Sequence, residues 1–101
     1  MDHDEVIAAM GELSGRDVEA AIQFSERTVD PIALLRGRLS APGGAEGRFN
    51  VGDGVIVVRA DDLLDASWVE GLGEEPALRM DLQNVQITVS PWAPEMADQL
   101  D

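Results

Sequence analysis

The chain has 101 residues, twenty of them acidic and seven basic, for a formal charge of −13, and it contains no cysteine. That length accommodates one domain around one core, and without cysteine there are no disulfides, thiolate nucleophiles or thiolate metal sites. Every base is arginine, and so acidic a surface repels phosphate backbones and anionic lipid, which excludes nucleic acid and membrane as expected partners.

The first element in chain order is a short helix over Asp4–Leu13. Val6, Ile7, Met10 and Leu13 fall on one face, and acids occupy the first turn, where the helix dipole favours them. Ser14-Gly15 is expected to end it. Ahead of it, Met1-Asp2-His3 offers an amine, two amides and an imidazole, a set able to wrap Cu(II) or Ni(II) in a square plane. His3, the one histidine, is expected in a frayed terminus, where no Ser-His-Asp arrangement forms. The opening residues lack the basic and apolar regions of a signal peptide, so the expected location is the cytoplasm.

Residues 17–27 admit two readings. Val18, Ala20, Ile22 and Phe24 alternate with more polar residues, the period of a half-buried strand. Val18, Ala21, Ile22 and Ser25 also share a helical face built from good helix formers. The strand is preferred because only there does Phe24 join the apolar set.

Asp30-Pro31 marks a turn. Ile32–Leu39 follows as a strand, with Arg36 and Arg38 on the same side as Leu34. Residues 40–47 form the clearest loop. Arg48–Val51 and Val55–Arg59 read as hairpin arms around Gly52-Asp53-Gly54. Apolar residues on both faces mark Val55–Val58 as the expected central strand.

Asp61–Glu70 has helix-start chemistry, with Leu64, Trp68 and Leu72 at spacing four and Trp68 in the core. Gly71–Pro76 is a second loop. Leu78–Val89 reads as one last strand whose phase break at Gln83-Asn84 is a β-bulge, so that Met80, Leu82, Val85, Ile87 and Val89 all face the core. Ser90–Asp101 is a tail in which Pro91 and Pro94 bracket Trp92.

The expected fold is α+β and mostly β: an N-terminal helix, then about five mainly antiparallel strands in a small barrel or rolled sheet. Residues 1–90 make the domain and 91–101 the C-terminal tail. The outline, helix then strands, resembles that of Sm-like small barrels. Their RNA-binding signature is not in place, and Leu35-Arg36-Gly37 sits too early to be its second motif, so the resemblance extends to the outline alone.

Catalytic motifs fail on context. Gly52-Asp53-Gly54 lacks the third glycine of a dinucleotide fingerprint, since residue 57 is Val57. A Walker-type loop needs lysine. The acids of residues 61–75 do not follow calcium-loop spacing, because Leu63 and Ala66 break it; they read as a solvated face or a loose cation contact. No cofactor is expected, and the chain is expected not to be an enzyme.

The interaction candidates are Arg36, Arg38 and Arg48, clustered in sequence around the glycine-rich loop, and Trp92, the residue type commonest at interface hot spots. The arginines are nonetheless expected mostly to pair with local acids. The expected function is a non-catalytic acidic module that binds protein. Its partner would be a basic protein or a second copy, in a dimer or small ring. The alternative is a domain responsive to a small ligand or metal, using the 61–75 acidic run or the Arg36/Arg38/Arg48 region.

Overall fold

A computed structural model describes residues 2–24, 33–43, 47–71 and 75–91. Helix α1 spans His3–Leu13 and begins with a capping box. The Asp2 carboxylate accepts the Glu5 N–H at 2.9 Å, and the Glu5 carboxylate accepts the Asp2 N–H at 3.3 Å. Two donors that the first turn would otherwise leave unpaired are thereby satisfied, and a cap of this kind is worth about 1 kcal/mol. Val6, Ala9, Met10 and Leu13 are buried and Ile7 packs beside them. The Ser14 N–H closes the helix on the Gly11 carbonyl.

Seven strands follow: β1 (Asp17–Phe24), β2 (Ala33–Gly43), β3 (Arg48–Val51), β4 (Gly54–Val57), β5 (Leu63–Val69), β6 (Ala77–Leu82) and β7 (Val85–Pro91). They form one antiparallel sheet in the order β4-β3-β2-β1-β7-β6-β5. Two meanders, β1–β4 and β5–β7, are joined where β7 returns to lie against β1. The mostly β class is as expected. The barrel is not: the sheet is open, it has seven strands, and β4 and β5 are its edges.

The 17–24 segment is the preferred strand, and it is central. Phe24, the residue that decided the reading, is 46 % exposed at the strand's end. Hydrogen bonding to both β2 and β7 holds the segment extended, whatever the helix propensity of Glu, Ala and Gln. Asp30-Pro31, Ile32 and the segment 25–27 lie outside the described residues.

Strand β2 runs to Gly43, into the expected loop, because its two halves have different partners. Asp17 to Ile22 of β1 pair with Ala33 to Arg38, whereas Leu39 onward pairs with β3. At the switch a Cβ on Gly37 would sit 2.6 Å from the Gly52 Cα. Only glycine allows the β3–β4 turn to rest on β2 there.

Three other expectations are corrected. Val55–Val58 is not central, since β4 pairs on one side only; an apolar run suits an edge as well as a centre. Residues 63–69 are a strand, not a helix. Asp61 and Asp62 serve a turn in which the Asp62 and Leu63 N–H groups donate to the Arg59 carbonyl, and a register shift between Leu63 and Asp65 leaves Leu64 as an extra residue. The spacing of four between Leu64 and Trp68, which suggests a helix, is equally compatible with the period of two of a strand. Trp68 is 38 % exposed rather than core. Finally, Leu78–Val89 is a hairpin. Met80 pairs with Ile87 and Asp81 with Gln86, so Gln83-Asn84 is a two-residue turn. Met80, Leu82, Ile87 and Val89 are buried and Val85 packs against them; a tight turn restores the phase as a bulge would. The strand continues to Pro91, the first residue of the expected tail.

One face of the sheet carries Val18, Ala20, Leu39, Phe49, Leu78, Met80 and Val89 against α1, and this is the core. The other face carries Glu19, Gln23, Arg36, Arg38, Arg48, Gln86 and Arg79 among exposed or half-buried positions. No helix is long and apolar enough to cross a membrane among the described residues.

Candidate functional site

The two edges of the sheet differ. The β3–β4 hairpin turns at Gly52-Asp53, with Gly52 at φ +57° and no positive φ at Asp53, the pattern of a type II′ turn whose twist matches the strands. Beyond the strand end, the Val58 N–H donates to the Gly47 carbonyl at 2.8 Å. This fixes the alternation of the ladder. Positions 54 and 56 exchange hydrogen bonds with β3, and Val58 donates to Gly47 just before it; Val55 and Val57, opposite Asn50 and Arg48, do not. Their N–H and C=O groups therefore point away from the sheet, along its open edge. Their side chains are 48 % and 46 % exposed. Residues 54–58, Gly-Val-Ile-Val-Val, hold no charge and no proline, so neither of those two devices blunts this edge.

Strand β5 is protected in two ways. The bulge at Leu64 disrupts the ladder, and the Asp65 carboxylate accepts the Ala66 N–H at 2.9 Å. Asp61, Asp62, Asp65 and Glu70 surround it with negative charge.

Arg36, Arg38 and Arg48 all lie exposed on the sheet face opposite α1. Arg36 donates from Nε to Glu19 Oε2 at 2.9 Å across the β1–β2 pair. Arg38 stands opposite Asp17 in register. Among the described residues Arg38, Arg48 and Arg59 form no ion pair, and neither does Asp53. The local pairing expected for the arginines thus holds for Arg16, Arg36 and Arg79, and not for the three nearest the β3–β4 hairpin. Trp92 lies outside the described residues.

Elsewhere, Arg16 makes a two-pronged contact with Glu75, one arm from Nη1 to Oε1 at 2.8 Å and the other between Nη2 and Oε2. These hydrogen bonds, aided by the opposite charge, hold the Glu75 carboxyl below its ordinary pKa and raise Arg16 above its own; desolvation opposes both. The pair borders an open cavity of about 270 Å³ lined by Leu13, Trp68, Pro76 and Pro91 among others. Among the described acids of the 61–75 run, Asp61 and Asp62 lie in a turn, Asp65 in β5 and Glu75 in this ion pair. Among the described residues no three acids or histidines are placed to hold a metal.

His3 is not frayed. It lies within α1, and its Nε2 is 2.8 Å from the Val58 carbonyl oxygen. With the Asp2 N–H engaged by Glu5 as well, wrapping a Cu(II) ion would first undo the helix cap.

Sequence reasoning missed Val55 and Val57 as edge positions. Their signal was the neutral Val-Ile-Val-Val run beginning straight after a tight turn. Compared with known proteins, the chain matches no family model, no curated protein and no solved structure.

Proposed function

We propose that this protein is a non-catalytic module that binds another polypeptide by strand addition along β4. The observation that carries the reading is the pair Val55 and Val57, which offer outward N–H and C=O groups and half-exposed side chains on one uncharged edge. Strand addition uses these features together: main-chain hydrogen bonds supply affinity, and alternate side chains supply selectivity. Arg48, adjacent on the outer face, and Arg59, just past the strand, favour a partner that carries acids beside its paired segment.

The test is an amide chemical-shift titration with a library of extended peptides. Shifts concentrated at Val55, Val57 and their β3 neighbours are expected, and Val57→Pro should abolish them. That substitution removes an N–H the fold does not use, at an edge position that tolerates proline. Shifts confined to Trp68 and Arg16, or a response only to divalent cations, nucleotides or small anions, would replace this reading with a small-ligand domain.

A further inference from the structure

Resting on the strand-addition reading, we infer that the strand β4 receives is β4 of a second copy, antiparallel and centred on Ile56. Three observations lead there.

The first is backbone parity. Only residues 55 and 57 turn their backbone groups outward. Pairing about a two-fold axis at Ile56 sets Val55 against Val57 of the second copy and Val57 against its Val55. Both residues of both copies then exchange hydrogen bonds, four in all by the antiparallel rule. Centring on residue 55 or on residue 57 leaves one outward position of each strand without a β4 partner.

The second is apolar matching. On the outer face this register brings four half-exposed valine side chains together. On the core face it sets Ile56, already buried, beside Ile56 of the second copy. Cross-strand pairs of β-branched residues are favourable.

The third is charge. The same register brings the turn that carries Asp53 beside the strand end that leads to Arg59 of the second copy, twice over by symmetry. Neither residue has an ion-pair partner among the described residues. Centring on residue 55 sets Asp53 opposite Val57, and centring on 57 sets Arg59 opposite Val55, so only the central register pairs the charges. The surrounding segment suits the contact too. Residues 33–59 hold four arginines and two acids, with Asp61 and Asp62 in the turn that follows Arg59.

The contact is small, and the dimer is weak: monomer prevails near 10 µM and dimer accumulates toward about 1 mM. Added salt strengthens it by screening the overall repulsion.

Sedimentation of the whole chain from about 10 µM to 1 mM, at about 0.15 M and 0.5 M salt, tests the inference. A monomer–dimer equilibrium is expected. Asp53→Arg and Arg59→Asp should each weaken it about 5-fold, because two pairs are lost at once, and the double exchange should recover it to within about 2-fold. Val57→Pro should leave only monomer, with its thermal melt retained as the check on folding. A monomer at 1 mM in 0.5 M salt would overturn the inference. So would singles that fold and weaken the dimer while the double fails to recover it. If the chain stays monomeric yet extended peptides still shift Val55 and Val57, the second copy is wrong and strand addition stands; if neither associates, both fall.

Discussion

Gly47, with φ +80°, lies against the Val58 carbonyl and near the His3 ring. A Cβ at that position would land on the Val58 oxygen, the atom that also accepts from His3. Gly47→Ala should therefore cost about 1–3 kcal/mol, through left-handed backbone strain and displacement of that carbonyl. A lower urea midpoint at unchanged slope would register it. Ordered His3 was legible in principle, since Asp2-x-x-Glu5 is a capping-box spacing; the contact with Val58, 55 residues away, was not. The Arg16–Glu75 pair has its own signature. Because the folded pKa of Glu75 is lowered, its stabilisation is present above the ordinary glutamate range and lost as pH falls through the lowered value. Glu75→Gln should accordingly shrink the stability difference between about pH 6 and pH 2. Both groups are well exposed, so the change should be small, and it should diminish in high salt. An unaltered acid limb at low salt would contradict the assignment.

At the scale of elements, the β6–β7 hairpin separates what a pattern carries from what it leaves open. Alternation selected Met80, Leu82, Val85, Ile87 and Val89 as one face, and they share it. Alternation alone could not distinguish a bulge from a turn at Gln83-Asn84, because both restore phase. Length could have done so: an unbroken strand over 78–89 would exceed the usual 3–10 residues. Ile87→Val should cost about 0.5–1.5 kcal/mol and Met80→Ala about 2–5 kcal/mol, read from equilibrium unfolding. Leu64→Ser, at a bulge position 66 % exposed, should stay within about 0.5 kcal/mol. A helix over 61–70 would have made Leu64 a packing residue, so this contrast separates the two assignments energetically. The error arose because a spacing of four fits a helical face and is also twice the period of a strand.

For the molecule as a whole, the controlling quantity is charge. With −13 on 101 residues, self-repulsion opposes the compact state. Its melting temperature should rise from near-zero to about 0.5 M monovalent salt, followed at about 5 µM, a concentration low enough to keep the weak association inferred above out of the measurement. A flat or falling curve would show that the acids are too dispersed for repulsion to matter. That the charge would dominate was plain from composition, as were the helix and the β-rich remainder. Which strands are edges was not legible, because strand order depends on β7 returning to β1 across more than sixty residues, and no local pattern encodes that pairing. The candidate arginines were found from sequence spacing, whereas the edge beside them required the sheet order.

The unequal treatment of β4 and β5 also sets how many neighbours a molecule can have. With two joinable edges, each unit would have valence two, and association would run on into ribbons of indefinite length. If copies pair through β4 as inferred, the bulge at Leu64 and the Asp65 carboxylate on the Ala66 N–H would reduce that valence to one. Such monovalent units would stop at pairs: the size distribution would have two members, and concentrating the solution would change their ratio without adding a third. Asp65→Ala would test whether the carboxylate is the terminator. Light scattering that climbs with concentration past the size of a pair is the expected result. Scattering that levels off at a pair would assign the termination to the bulge alone.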